Sequence, residues 1–427
     1  MTGGGTIHTE HDIQRRLAGL LASTMLAVAA FASAFTGVSM PAATAVAKGV
    51  APPAIDAPAA ILVTMDGVVL WSKNADAPRR PASTIKMLNA LVVRENASLD
   101  DTVTIPRQAT RVATPLGLPA GKKTTVRQLL RLMIVASSND AAESVAIHIG
   151  GSEAKYVKLM NAEAKRLGLR NTHVADPHGL SPLNSSSARD LSAIARSLMA
   201  DPVLAEMAGL HSVAVPRSGG TAIVGTTNQL LGHYRGLEGV KTGYTDPAGY
   251  CFIGAARRGD VELLAVVLGT DYKMQRFSEA AHLLDWGFEH TRTREVVSQH
   301  TTAAVVPVSG GLDAVVAVHP AHSLSLQLID DPSFCTTEAL VATSACAPIR
   351  AGQRLGDLVV TVRGSTVASV PLLAEVAVEK PPMPSVPEPA ASQANKANAN
   401  PAAALWEHMV GSVKDILRVL SSQVERV

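Results

Sequence analysis

The feature that most constrains this chain is a serine and a lysine three residues apart, Ser83 and Lys86, combined with a distant Lys241-Thr242-Gly243. Residues spaced in this way share one helix face, so the lysine amine lies one turn from the serine hydroxyl. A neutral lysine accepts a proton, and both burial and a nearby second ammonium favour the neutral form. Lys241 is a candidate for that second ammonium. The pattern therefore indicates a serine nucleophile with a lysine base.

The context of the motif distinguishes it from chance matches. Pro81 precedes Ser83 and suits a helix start, which places the serine near the positive end of the helix dipole. Ser137-Ser138-Asn139 supplies a third polar element between the other two. Ser152-Glu153-Ala154-Lys155 has the same serine–lysine spacing without this context. We interpret that second match as a chance occurrence of the motif without catalytic function.

Composition excludes several classes of function. The 427 residues are enough for two or three domains, and the net charge of +2 does not indicate a nucleic-acid-binding surface. The 13 histidines are scattered, and no H-E-x-x-H cluster occurs. His8 and His11 are three apart, but they lie before an apolar N-terminal stretch. We therefore expect no metal and no cofactor.

Residues 1–47 are expected to be a signal or N-terminal anchor followed by a tether. The stretch Leu17–Phe35 carries no charge and follows Arg15 and Arg16, a pattern typical of secretory signals. Ala45-Val46-Ala47 is a candidate cleavage site. The apolar stretch is long for a signal core, so the alternative is an uncleaved N-terminal anchor. Either way, the body of the protein is expected in the periplasm or at the extracytoplasmic face of the cell membrane.

Residues 48–297 are expected to form an α+β domain. Two strands over 60–65 and 68–72 are joined by the turn-forming Asp66-Gly67, and helical patterns fill the middle of the region. A second hairpin is predicted around residues 258–260, followed by an amphipathic helix over 275–288. Strands, then helices, then strands and a helix predict an antiparallel sheet with flanking helices and a helical insertion.

The rest of the chain falls into three segments that differ in composition. Short β-branched runs over residues 298–380 predict a small C-terminal all-β domain. Residues 381–404 are a Pro/Ala-rich linker. Residues 405–427 form an amphipathic pattern, which fits either a membrane anchor or a helix packed on protein.

The three cysteines have two expected roles. Cys335 and Cys346 bracket a short segment and are either a disulfide or two unpaired thiols. Cys251 lies in the apolar run Tyr250–Ala256, and we expect it to be a small core residue.

Together these residues resemble serine-type D-alanyl-D-alanine carboxypeptidases, the low-molecular-mass penicillin-binding proteins. The matching stretches are Pro81–Lys86, Ser137–Ala142, Asp176–Leu180 and Gly239–Thr245. The resemblance implies a β-lactamase/transpeptidase-like domain with a β-rich C-terminal domain. It also implies loss of the last D-alanine from a peptidoglycan stem peptide through an acyl-serine, with β-lactams as covalent inhibitors.

The resemblance further implies roles for individual residues. Ser83 would be the acylated nucleophile, Lys86 its general base, and Ser137 a helper in proton transfer to the leaving amine. Asn139 would orient the peptide and Lys86. The substrate's terminal carboxylate and backbone would be bound by Lys241, Thr242 and Gly243, and the backbone N–H groups of Ser83 and Tyr244 would form the oxyanion hole.

Several other readings remain open at this stage. An endopeptidase that cuts D-Ala cross-links shares all three motifs. A class A β-lactamase needs a glutamate four residues before Asn184, where this chain has Leu180. A zinc peptidase lacks a ligand cluster, and a non-catalytic scaffold would not need the full residue set. His178 suggests a catalytic triad with a histidine base, but we interpret it as a loop residue because the lysine already supplies the base.

Overall fold

The computed structural model describes residues 50–113, 116–331 and 334–382. The predicted signal or anchor, nearly all of the Pro/Ala-rich linker and the C-terminal amphipathic pattern lie outside the described residues.

A five-stranded antiparallel sheet forms the centre of the described chain. Its strands are β1 (Ala59–Thr64), β2 (Val69–Lys73), β7 (Leu237–Thr245), β8 (Gly249–Arg258) and β9 (Val261–Thr270). They lie in the order β2-β1-β9-β8-β7, so β7 is an edge strand. The predicted hairpins at Asp66-Gly67 and at residues 258–260 are both confirmed. Gly67 has a φ of +101°, a conformation that a glycine adopts readily.

The helical insertion lies between β2 and β7 in the chain, as predicted. Its described residues contain two small hairpins and six α-helices, and the predicted amphipathic helix follows β9. The hairpins are β3 (Thr102–Thr104) with β4 (Lys123–Thr125), and β5 (Ser212–Arg217) with β6 (Gly220–Gly225). The helices are α1 (Lys86–Asn96), α2 (Val126–Val135), α3 (Asn139–Gly150), α4 (Glu153–Arg166), α5 (Ala188–Ala200), α6 (Pro202–Ala208) and α7 (Gln275–His290).

Local sequence explains where these helices begin and end. Thr125 caps α2, since its side chain accepts a hydrogen bond from the Gln128 backbone N–H. Gly151 follows α3 with a φ of +70°, which suits a helix C-terminus. None of the described helices is long and apolar enough to cross a membrane.

Both faces of the main sheet are buried, and each faces a different core. Along β1, Ala59, Ile61 and Val63 pack into the core shared with the helical insertion. The alternating residues Ala60 and Leu62 pack into the core shared with α7 and the C-terminal strands. Because successive side chains of a strand point to opposite faces, a continuous apolar run can serve both cores.

The C-terminal region is rich in strands, as expected. Its strands are β10 (Thr291–Val297), β11 (Ala304–Ser309), β12 (Val315–Pro320), β13 (Leu324–Ile329), β14 (Cys335–Val341), β15 (Ala345–Cys346), β16 (Arg354–Val362) and β17 (Ser365–Ala374). Six of them form a sheet in the order β14-β16-β17-β12-β11-β15, and β10 pairs with β13. The sequence did not predict β10 or β14, whose polar, mostly exposed residues lack hydrophobic alternation.

Strand β10 also bears on the domain boundary predicted after residue 297. This strand precedes the boundary, yet it pairs with β13 in the C-terminal region. The chain therefore passes directly from α7 into a strand, residues 291–297, that pairs with the C-terminal region.

The structure bears on both expectations about the cysteines. Cys251 is fully buried in the core, as predicted. Cys335 and Cys346 are both free thiols, so the disulfide alternative is wrong for this structure. They lie on β14 and β15, which are at opposite ends of the six-strand order, and sequence proximity therefore did not bring them together.

Candidate active site

Ser83 lies on a short 3₁₀-helix that immediately precedes α1. The sequence predicted a single helix here, but the segment Ala82–Ile85 forms a separate 3₁₀ turn and α1 begins at Lys86. Ala82 has a φ of +46°, an uncommon backbone conformation for a residue with a side chain. The turn leaves Ser83 half-buried while Lys86 is completely buried. The nucleophile candidate thus faces the surface, and its base candidate faces the interior.

The amine of Lys86 lies among three oxygen atoms. Its Nζ is 2.7 Å from Ser83 Oγ, 2.7 Å from Asn139 Oδ1 and 2.6 Å from the His178 carbonyl oxygen. Burial lowers the pKa of Lys86 to about 7, although the carboxylates of Asp176 and Asp140 act in the opposite direction. A lysine with such a pKa is substantially neutral near pH 7 and is able to accept a proton.

Ser137 and Asn139 lie at the junction of α2 and α3. Ser137 has a φ of +58°, and the next residue, Ser138, caps α3 by accepting a hydrogen bond from the Ala141 backbone N–H. The cap starts the helix at Asn139, which places the amide of that residue against Lys86. The Asn139 amide nitrogen donates to the Ala113 carbonyl, which fixes its oxygen toward the lysine.

Lys241 reaches the same site from the edge strand β7. Its Nζ donates to Ser137 Oγ at 2.8 Å and to the Thr242 carbonyl at 3.0 Å. Burial lowers the pKa of Lys241 well below its ordinary value, and the charges of Lys86 and Arg276 add to that effect. The sequence analysis named burial and a second ammonium, Lys241, as causes of a neutral Lys86, and burial is the dominant cause of its lowered pKa.

Thr242, Gly243 and Tyr244 continue along β7. Thr242 is buried, and its Oγ1 lies 2.6 Å from Thr227 Oγ1. Tyr244 is half-exposed, stacks on Tyr250 with ring centroids 4.2 Å apart, and donates its hydroxyl hydrogen to Asp246. That hydrogen bond raises the pKa of Tyr244 to about 12.

Gly243 packs against the turn that carries Ser83. A Cβ at this position would lie 3.0 Å from the Pro81 carbonyl oxygen and 3.2 Å from the Ser83 backbone nitrogen. The family resemblance implies that Gly243 helps to bind the substrate backbone. In the structure, the missing side chain also allows β7 to approach the Ser83 turn. The Gly243 carbonyl in turn accepts a hydrogen bond from Arg276 on α7 at 2.9 Å.

The loop over residues 176–179 completes the surroundings of Lys86, and sequence reasoning did not assign it that role. Its His178 carbonyl accepts the lysine hydrogen bond, and Gly179 packs so closely on Ala82 that a Cβ would overlap the Ala82 carbonyl. Burial would raise the pKa of Asp176, but hydrogen bonds from His178 and from backbone N–H groups of the loop hold it well below its usual range. His178 is therefore a loop residue, as predicted, but its backbone belongs to the site.

Two buried residues hold this loop on α1. Asn89, one turn after Lys86, donates to the Pro177 carbonyl at 2.8 Å. The Tyr156 hydroxyl, on α4, donates to Asn89 Oδ1 at 2.8 Å. Neither residue belongs to a short motif, and the only sequence signal for Asn89 was a polar residue on the buried face of a helix. Arg276 was missed for the same reason.

The structure brings the eight sequence-predicted site residues into one region and gives Ser152 a different role. Ser152 caps α4, accepting a hydrogen bond from the Lys155 backbone N–H, so its serine–lysine spacing reflects a helix start. A further group was not singled out from the sequence: Glu143, Glu153 and His178 converge beside the loop. Burial and the nearby carboxylates of Glu153 and Asp176 raise the pKa of Glu143 to about 7.

Comparison with known proteins covers most of this chain. The sequence model of peptidase family S11, described as D-alanyl-D-alanine carboxypeptidase, matches residues 46–272. The D-alanyl-D-alanine carboxypeptidase DacF of Bacillus subtilis is 31% identical over 336 residues, 76% of this chain and 86% of that protein. The carboxypeptidase DacC of Escherichia coli is 30% identical over 84% of this chain and 93% of its own.

Solved structures show the same fold. Penicillin binding protein 5 from Haemophilus influenzae has a TM-score of 0.66 at 28% identity, covering 78% of this chain and 100% of its own. The D-alanyl-D-alanine carboxypeptidase from Mycobacterium tuberculosis has a TM-score of 0.54 at 35% identity, covering 57% of this chain and 95% of its own. The β-lactamase/transpeptidase-like fold expected from the motifs is therefore confirmed. With its family match, its relatives and its assembled serine–lysine site, the chain belongs to the D-alanyl-D-alanine carboxypeptidase family of serine-type peptidases.

Proposed function

We propose that this carboxypeptidase removes the last D-alanine of peptidoglycan stem peptides by acyl transfer to Ser83. The single observation that carries the proposal is the contact of 2.7 Å between Ser83 Oγ and the buried Nζ of Lys86. A nucleophilic serine needs an adjacent base, and burial supplies one here by favouring the neutral amine. β-Lactams would acylate the same oxygen and act as covalent inhibitors.

The surroundings of Lys86 would direct its proton transfer. A neutral amine has two N–H bonds and one lone pair. Asn139 Oδ1 and the His178 carbonyl are acceptors only, so they take the two N–H bonds. The lone pair then faces the Ser83 hydroxyl, which loses its proton to Lys86 as the oxygen attacks the peptide carbonyl.

The second half of the site would return that proton and bind the substrate. Ser137 bridges toward Lys241 and is suited to pass a proton to the leaving D-alanine nitrogen. The edge strand β7 has backbone groups available for an extended peptide, which would add as a further strand. Lys241 and Thr242 would receive the terminal carboxylate, and the N–H groups of Ser83 and Tyr244 would stabilise the oxyanion.

We also infer that the enzyme is exported and that residues 405–427 associate with the membrane surface. The apolar stretch over residues 17–35 supports export, and the apolar stripe of the C-terminal segment supports an interfacial helix. That segment carries three basic and three acidic residues, so its binding would depend on apolar burial rather than on anionic lipid.

Ser83→Ala is expected to abolish both labelling by a fluorescent penicillin and release of D-alanine, because Ser83 is the serine that contacts the Lys86 amine, whereas Ser137 contacts Lys241. Gel fluorescence and a D-alanine assay measure the two effects. Ser152→Ala is the matched control and should keep both activities, since that serine caps a helix. Labelling that survives in Ser83→Ala, or that is lost in Ser152→Ala, contradicts the assignment.

The pH dependence of kcat/KM should report the buried base. Because the folded protein holds the pKa of Lys86 at about 7, kcat/KM should rise with pH through about 7 and then level off. An ordinary lysine would instead give a rise near pH 10. Asp176→Asn should move the rise to lower pH, because the Asp176 charge favours protonated Lys86. A profile flat between pH 5 and 9 would rule out Lys86 as the base.

Lys241→Ala should slow hydrolysis mainly for substrates that end in a free carboxylate. Charge-assisted hydrogen bonds are roughly twice as strong as neutral ones, and only the free acid provides that charge. The measurement is kcat/KM on a peptide ending in D-Ala-D-Ala and on its C-terminal amide. Equal loss on both would mean that Lys241 acts through Ser137 and not on the carboxylate.

Deleting residues 405–427 should move the protein from the membrane pellet to the soluble fraction of lysed cells. The apolar stripe is the only proposed contact with lipid once the N-terminal signal has been removed. Immunoblots of both fractions, with the full chain as the control, measure the change. If the truncated chain still sediments with membranes, the N-terminal segment is the anchor.

A further inference from the structure

Three side chains outside the catalytic set converge beside the 176–179 loop. Glu143 lies on α3, Glu153 opens α4, and His178 belongs to the loop. One ligand atom of each lies within 4.8 Å of the others. Two buried side chains and the half-buried Glu153 thus meet beside the loop that contacts Lys86, on residues to which we assign no proton transfer through their side chains.

Glu143 is buried without an adequate partner. It is 1% exposed, and within the described residues its Oε2 has no hydrogen-bond partner. Its other oxygen accepts only a long hydrogen bond of 3.4 Å from Gln108. A buried carboxylate without compensation is strongly unfavourable, and two further carboxylates, Glu153 and Asp176, add repulsion. A bound cation would remove both costs.

His178 lies beside a carboxylate of its own loop. Its buried Nδ1 is 3.2 Å from Asp176 Oδ1, and this contact helps to lower the pKa of Asp176. A carboxylate beside one ring nitrogen is the usual neighbour of a histidine whose other nitrogen binds a metal. This arrangement leaves Nε2 of the His178 ring as the nitrogen for a ligand.

We propose that Glu143, Glu153 and His178 bind one Zn²⁺ ion. One imidazole and two carboxylates are a ligand set that zinc accepts, with a fourth position for water. Magnesium and calcium favour sites with six or more oxygen ligands. Ligand atoms around tetrahedral zinc are about 3.3 Å apart, given bonds of about 2.0–2.1 Å. The half-buried Glu153 side chain can close the remaining gap by changing rotamer.

Such an ion would position the general base without taking part in the reaction. Asn139 lies one turn before Glu143 on α3, and its oxygen accepts from Lys86 Nζ. The His178 carbonyl is the second acceptor of the same amine. A metal bonded to Glu143 and to the His178 ring would tie α3 to the loop, so that both acceptors of Lys86 are held by one link.

The test is a Zn²⁺ titration of the purified full chain after removal of metals with a chelator. Isothermal calorimetry should show one saturable equivalent, and zinc X-ray absorption should show one imidazole with oxygen ligands. Glu153→Gln and Glu143→Gln should each weaken binding at least about tenfold. His148→Gln is the matched control, because it removes an exposed imidazole from the same helix and should leave the affinity unchanged.

Two results would overturn the proposal. One is the absence of a saturable equivalent in the full chain. The other is binding that persists in both glutamine variants, or that disappears in His148→Gln, because the metal would then be held by other histidines. Circular dichroism verifies that each variant folds, and Glu153→Gln changes a partly exposed residue that the core tolerates. The titration measures metal binding directly, so its outcome is independent of Ser83 acylation.

Discussion

The candidate site depends on the hydrogen bonds of one buried lysine amine. Lys86 Nζ contacts the nucleophile candidate Ser83 and two acceptors that come from different parts of the chain, Asn139 and His178. Burial of this amine is what makes it a base near neutral pH. Every element around the site therefore has to exclude water from Lys86 while leaving Ser83 accessible. The 3₁₀ turn before α1 accomplishes this separation, because it points two residues only three apart toward opposite surroundings.

The sheet supplies the rigid frame for that arrangement. Its strands are buried on both faces, with the helical insertion on one side and α7 and the C-terminal strands on the other. This double burial leaves the two edge strands, β2 and β7, for pairing with a peptide, and β7 is the edge that carries Lys241. Gly243 allows β7 to approach the Ser83 turn, and Arg276 holds the glycine carbonyl from behind. Substrate-binding and nucleophilic elements are thus joined directly, without a flexible segment between them.

The helical insertion carries a second, less obvious network. Tyr156 positions Asn89, and Asn89 holds the Pro177 carbonyl of the loop that faces Lys86. Beside it, Glu143 has a buried carboxylate oxygen without a hydrogen-bond partner among the described residues. Unsatisfied groups so close to a satisfied hydrogen-bond network are unusual, because burial penalises each of them. The proposed zinc ion would bind the unpartnered Glu143 carboxylate oxygen and link α3 to the loop.

The sequence by itself determined the chemistry and most of the local structure. The spacing of Ser83 and Lys86, the cap at Thr125 and the turn at Asp66-Gly67 all depend on residues close together in the chain, where periodicity and turn preferences act directly. Only the tertiary structure decided which distant groups complete the site: the His178 carbonyl and the group of acids around Glu143. Backbone carbonyls carry no sequence signature, and side chains tens of residues apart meet only through packing. For the same reason, the nearness of Cys335 and Cys346 in the sequence did not make them a disulfide.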